Sequence, residues 1–284
     1  MVAMILVTGA TGTIGREVVR LLAAGGARTR AMTRDPAKAA SPPAGVEVVR
    51  GDFDDPSSLA DAAKGAEAVF MLSAPGPWVE RHDEAILAAA REAGARRVVK
   101  LSAIGTGDHP GVGDWHLPGE RAVRSSGLAW AILRPSSFAS NVLGWAAAIR
   151  SGAPVPNPMG EGAQGVVDPR DVAEVAARAL TSPDLDGHVH TLTGPEALSV
   201  PDLAARLGEA LGRTVATAEL SPEEYRDRLR GAGLDPVFVE SAVGGARLVA
   251  AGGNATLTDD VERILGRPPR AFVTWVHDHR AAFA

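Results

Sequence analysis

Short apolar runs bounded by polar residues or glycine recur along the first half of the chain, and between them lie longer stretches whose apolar residues repeat at helical spacing. The runs at 5–8, 29–33, 46–50, 68–73, 97–102 and 128–133 read as buried strands. The stretches 14–24, 56–63, 79–93 and 119–126 read as helices, with Gly94 and Gly127 standing where two of them end. Such alternation predicts an α/β fold: a doubly wound parallel sheet with helices on both faces. Ligands of such sheets bind beyond the carboxyl ends of the strands.

After Leu133 the pattern changes. A helix is expected up to about residue 149, then a loop rich in Pro and Gly over 152–165, a helix to about 180 and a strand at 188–193 that returns to the sheet. Beyond Gly194 the segments 199–211, 221–230, 236–250 and 268–283 all carry helical spacing. They predict a smaller, mostly helical C-terminal lobe.

The first strand opens directly into three glycines, Gly9, Gly12 and Gly15. In a strand-turn-helix unit this spacing gives a tight turn, close backbone approach to a pyrophosphate and close packing of the helix on the strand. Thr11, Thr13 and Ile14 belong to the same turn, and the helix start offers free N–H groups and a positive dipole end to phosphate. Residues 1–150 are therefore expected to form an NADP-binding domain, with 165–193 rejoining its sheet and 194–284 forming the substrate lobe. At the tip of the second strand stand Thr33 and Arg34. A carboxylate there would bind the ribose 2′-hydroxyl, whereas the Arg34 guanidinium suits a 2′-phosphate, so NADPH is expected ahead of NADH. Asp35 follows and offers the opposite reading if it turns inward. Asp52 and Phe53, after the third strand, are placed for the adenine amino group and ring, although Asp52 reads equally well as a turn residue. Leu72 and Ser73 end the fourth strand near pyrophosphate and ribose, Leu101 ends the fifth, and Pro135 follows the sixth beside the expected nicotinamide.

Composition narrows the class. The 284 residues carry a net charge of −5 with no block of like charges, so neither nucleic acid nor a membrane surface is an expected partner. Cysteine is absent, which removes disulfides, thiolate metal sites and a cysteine nucleophile. No metal is expected: His188 and His190 lack a third ligand of suitable spacing, and His277 and His279 diverge on a helix. The start is too short for a signal peptide's apolar core, and a cytoplasmic protein, monomer or homodimer, is expected.

The segments GATGTIG at 9–15, TRDP at 33–36, GDFDD at 51–55, VVKLSAIG at 98–105 and SGLAWAILRPSSFASN at 126–141 together resemble the atypical short-chain dehydrogenase/reductases of the NmrA-like group. That group includes NADPH quinone oxidoreductases and azoreductase-like members. VDPRDVAEVAARAL at 167–180 and LTGPEALS at 192–199 extend the resemblance over most of the chain. In the wider superfamily a Ser, a Tyr and a Lys perform the chemistry. The resemblance places Ser102 at the serine, His116 at the lysine, with Glu120 four residues on, and Val112 at the tyrosine. The only tyrosine, Tyr225, lies in a polar helix far along the chain.

Loss of that phenol constrains the substrate. Hydride added to a simple ketone leaves an alkoxide whose conjugate acid has a pKa near about 15.7, whereas a quinone leaves a phenol-like anion near about 10. The difference is roughly 8 kcal/mol of charge stabilisation. The expected activity is an NAD(P)H-dependent ketoreductase or quinone reductase acting on a small aromatic, polyketide-like carbonyl or quinone. Ser102 and His116 are its candidate catalytic groups, although ribose or structural binding is the reading of His116 that its place favours over proton donation. Trp78, Trp115, Phe138 and Asn141 are placed to meet a flat substrate. The rival reading, in which the missing acid marks a non-catalytic NADP(H) redox sensor of the NmrA type, predicts binding without turnover.

Overall fold

The computed structural model of the chain describes residues 3–39, 42–108 and 114–284. Its elements run β1 (Met4–Val7), α1 (Thr13–Ala24), β2 (Arg28–Thr33), β3 (Glu47–Arg50), α2 (Pro56–Ala63), β4 (Ala68–Met71), α3 (Val79–Glu92), β5 (Arg97–Leu101), α4 (His116–Arg124) and β6 (Ala129–Pro135). There follow β7 (Ser137–Phe138), α5 (Ala146–Ser151), β8 (Val155–Asn157), β9 (Gln164–Val167), α6 (Pro169–Thr181), β10 (His188–Leu192) and β11 (Ala197–Leu198). The chain ends with α7 (Val200–Leu211), β12 (Thr217–Glu219), α8 (Pro222–Gly231), α9 (Pro236–Ala250), α10 (Asp260–Leu265) and α11 (Phe272–His279).

Seven strands form one sheet in the order β10-β6-β5-β4-β1-β2-β3. The pairings from β6 across to β3 are all parallel. Because β1 has β2 on one side and β4 on the other, the winding reverses there, and the crevice outside their carboxyl ends is where such a sheet takes a ligand. The strands β1 and β4 are buried at every position, as strands covered on both faces must be.

The chain divides into two compact units. The first comprises Met1–Thr106, Trp115–Arg134 and Val172–His190; the second comprises Gly107–Asp114, Pro135–Asp171 and Thr191–Ala284. In the first, Leu6, Val69, Val98 and Ile132 of the sheet pack with Leu59 of α2 and Ile86 of α3. In the second, α7 and α11 bring Leu203, Leu207, Phe272 and Trp275 against Val155 and Val166. This unit also holds two small sheets, β11-β9-β7 and β12-β8.

Several boundaries differ from those the sequence predicts. The expected loop at 152–165 contains β8 and the start of β9, because β8 pairs in parallel with β12 some sixty residues later. The helix expected after Phe138 begins as a 3-10 segment over Ala139–Trp145, and the one expected at 268–283 is α11 followed by a 3-10 turn. α4 starts at His116, ahead of Pro118; a proline in the first turn removes only an N–H that has no helical partner anyway.

Candidate functional site

Beyond the end of β1, Thr8 fastens the turn to β4. Its backbone N–H donates to the Phe70 carbonyl at 3.1 Å, and its hydroxyl oxygen accepts from the Leu72 N–H at 2.8 Å. Gly9 then takes φ +60°, and a Cβ on it would stand 2.9 Å from Leu72 Cγ. A Cβ on Gly15 would lie 2.2 Å from the Gly9 carbonyl oxygen, so α1 packs on the turn at a distance no side chain permits. Gly12 occupies the N-cap of α1 with no side-chain cap, and the first turn carries no acidic residue. Thr11, Gly12 and Thr13 are exposed, while Ile14 is anchored in the core. The result is an open backbone cradle at a positive helix end, which fits a pyrophosphate.

Next to the cradle, β2 ends at Thr33, and Arg34 is exposed with no hydrogen bond or ion pair among the described residues. Asp35 accepts from the Ala37 N–H at 3.1 Å, capping the short 3-10 turn that follows. Asp52 is tied into its own turn, its side chain accepting from the Asp54 N–H at 3.1 Å, and Asp55 rather than Asp52 caps α2. Phe53 stacks on His82 with centroids 4.4 Å apart, and His82 Nδ1 meets the Ser73 hydroxyl at 2.8 Å. Burial holds the His82 pKa below its ordinary value, so this residue, unnoticed in the sequence, forms a neutral aromatic platform with Phe53.

At the ends of β5 and β6 lie two buried charged clusters. In one, Glu120 accepts from Arg134 Nε and Nη2 at 2.8 Å each, from Arg124 at 3.2 Å and from the Ser102 hydroxyl at 2.6 Å. Burial alone would raise the Glu120 pKa, but Arg134, Ser102 and Arg124 together hold it below the usual carboxylate range. The Ser102 proton is thereby committed to Glu120. In the other cluster, Lys100 is fully buried and pairs with Asp83 of α3 at 2.5 Å. Burial raises the Asp83 pKa against the opposing pull of Lys100. Lys100 Nζ also lies 3.4 Å from His116 Nδ1, and desolvation together with the Lys100 charge pushes His116 down to about 3. His116 is neutral at pH 7.

Lys100 and Asp83 are absent from the residues that sequence reasoning selected. The signal was present: a lysine inside an apolar strand stays there only if paired. Leu101, buried, ends β5 directly before Ser102. Trp78 is half-buried at the start of α3, its indole N–H donating to the Ala74 carbonyl at 2.9 Å, and Trp115 is half-buried at the N-cap of α4. Pro135, Phe138 and Asn141 belong to the second unit. There Pro135 is buried, Phe138 half-buried in β7, and exposed Asn141 donates to the Ser137 hydroxyl at 3.3 Å. Val112 lies outside the described residues.

Residues 9–183, which include the glycine turn, match the profile of a family described as NAD(P)H-binding. The chain belongs to the NAD(P)H-binding family. A (4-alkanoyl-5-oxo-2,5-dihydrofuran-3-yl)methyl phosphate reductase of Streptomyces griseus is 39% identical over 99% of both chains. An NAD(P)H azoreductase of Xenophilus azovorans is 36% identical over 99% of both. Among solved structures, the NADPH-dependent quinone oxidoreductase of Escherichia coli complexed with NADPH superposes with a TM-score of 0.86 at 26% identity, covering 98% of this chain and 100% of that one. This member of the family is thus an NAD(P)H-dependent oxidoreductase with a Rossmann-like fold. Among the described residues, no helix is long and apolar enough to cross a membrane.

Proposed function

We propose that the protein uses NADPH to reduce a conjugated carbonyl compound, a quinone or an aromatic ketone, whose reduced form carries its own negative charge. Gly9, Thr11, Gly12, Thr13, Ile14 and Gly15 hold the pyrophosphate, Arg34 the 2′-phosphate, and the Phe53–His82 platform lies beside the adenine. When bound, the reduced nicotinamide supplies a hydride.

The observation that carries this reading is the state of the proton donors. The Ser102 hydroxyl already donates its hydrogen bond to Glu120. His116 is neutral, so it lends an N–H to an oxygen without being the strong acid an alkoxide needs. Tyr225 sits on α8 in the second unit, and burial raises its pKa further. A neutral donor suits an oxygen that stays anionic at little cost. The name of the Streptomyces relative's substrate describes a ring double bond flanked by an alkanoyl and a lactone carbonyl. Hydride addition to such a group spreads the charge over two oxygens, which supports the same class.

The test is loss of NADPH absorbance against quinones, hydroxylated aryl ketones and simple aliphatic ketones. Quinones and hydroxylated aryl ketones turn over, aliphatic ketones do not, and His116→Gln lowers kcat for quinones by about 10²-fold. Equal turnover of aliphatic ketones would overturn the assignment.

A further inference from the structure

Behind His116 stands a buried charge pair that no part of the proposed reduction has yet used. Burying an ammonium and a carboxylate together is costly, and replacing such a pair by apolar residues is often neutral or stabilising. Its presence at 1% and 3% side-chain exposure, on the one strand that leads to Ser102, therefore asks for a purpose. Lys100 on β5 and Asp83 on α3 are 17 residues apart, and α4 closes over them at Gly119, where a Cβ would fall 2.1 Å from Asp83 Oδ2. The remaining charge near His116 is Glu120 on its own helix, which Arg134 and Arg124 occupy.

We propose that the Asp83–Lys100 pair is a positioning device that fixes His116 as the Nε2–H tautomer and turns it into a polarised neutral donor toward the substrate oxygen. An ammonium has three donors and no acceptor. His116 Nδ1, 3.4 Å from Lys100 Nζ, must therefore present its lone pair, and the ring proton resides on Nε2 at the far edge. Asp83 on the other side of Lys100 keeps the ammonium in place. The α4 N-terminus, which starts at His116 without a side-chain cap, adds positive potential that disfavours the imidazolium. A neutral imidazole backed by a cation in this way donates a stronger hydrogen bond from Nε2 than a solvated one, without ever carrying the proton to be transferred.

This inference rests on the proposed function only for the statement that the donor meets the substrate oxygen; the tautomer itself is independent of it. Long-range ¹H–¹⁵N spectra of the full-length chain, with and without NADP⁺, read it directly. Expected is a His116 ring protonated at Nε2, bare at Nδ1 and silent to titration between pH 5 and 8. In Lys100→Met, and in Lys100→Met/Asp83→Asn where both charges are removed together, the ring becomes a mixture of tautomers. Its pKa then rises from about 3 only part of the way to the ordinary value, because burial, the larger cause of the shift, remains, and kcat for a quinone falls about ten-fold with KM little changed. A wild-type ring protonated at Nδ1, or an imidazolium at pH 7, overturns the proposal without any variant. A double variant that keeps the wild-type tautomer overturns the role of the pair. If instead the spectra agree and His116→Gln leaves turnover intact, it is the assignment of His116 to the substrate that fails.

Discussion

At the scale of single residues, the preference between the two nicotinamide cofactors hangs on Arg34. The neighbouring carboxylate that would have favoured the unphosphorylated ribose is engaged: Asp35 accepts from the Ala37 N–H and starts a 3-10 turn. Arg34 stays exposed with no ion pair among the described residues. A charge-assisted hydrogen bond to phosphate is worth about 1.5–3 kcal/mol, or roughly ten- to hundred-fold in affinity. Arg34→Ala is therefore expected to raise KM for NADPH by roughly that factor while KM for NADH changes less than about three-fold, as steady-state kinetics with each cofactor will show. Equal effects on both would mean that the guanidinium does not meet the 2′-phosphate. Arg34 is singled out in the sequence by its place in the strand-turn-helix order alone, and the kinetic comparison decides whether that place gives it the role.

Elements tell a more divided story. The strands of the seven-stranded sheet and the helices α1, α2, α3 and α9 are close to where apolar periodicity puts them, because each buries a continuous face that the pattern records. β8 and β12 are three residues each and exist by pairing with one another, so neither has a period long enough to read. The packing of α4 on α3 is likewise invisible in either helix alone, since it rests on Gly119 meeting Asp83, residues far apart in the sequence. Gly119, buried on α4 against Asp83, is the residue that carries that contact. Replacing a helix-interior glycine by alanine ordinarily stabilises by about 1 kcal/mol. Here the new Cβ falls 2.1 Å from a carboxylate oxygen and 3.0 Å from Asp83 Cβ, and disturbing a buried ion pair costs about 3–5 kcal/mol when it is broken outright. The steric term wins. Gly119→Ala is expected to destabilise the protein by about 1–3 kcal/mol in denaturant unfolding, and a stability equal to or above wild type would show that α4 has room to spare.

For the whole molecule, the neutral state of His116 has a thermodynamic signature that unfolding measurements can read against pH. In the unfolded chain His116 takes a proton below its ordinary value near about 6.5, while in the folded protein it stays bare down to about 3. Between those limits the unfolded state binds one more proton, so this residue makes stability rise with pH by about 1.4 kcal/mol per unit and flatten above about 6.5. Asp83 acts in the opposite sense over its own interval, because its raised folded pKa favours the folded state at low pH and that advantage is lost as pH rises. Glu120, held low chiefly by Arg134 against the cost of burial, loses its contribution only in acid. The total curve mixes these slopes, but the difference between wild type and His116→Gln isolates one of them. Gln occupies similar space and binds no proton in this range. Denaturant unfolding at intervals from pH 4.5 to 8 is expected to give two curves that run parallel above about pH 7 and separate below it, wild type falling relative to the variant by close to one proton's slope. Curves that stay parallel down to pH 4.5 would mean that the imidazole is as free to charge in the fold as in water. Neither burial nor the Lys100 charge would then govern it.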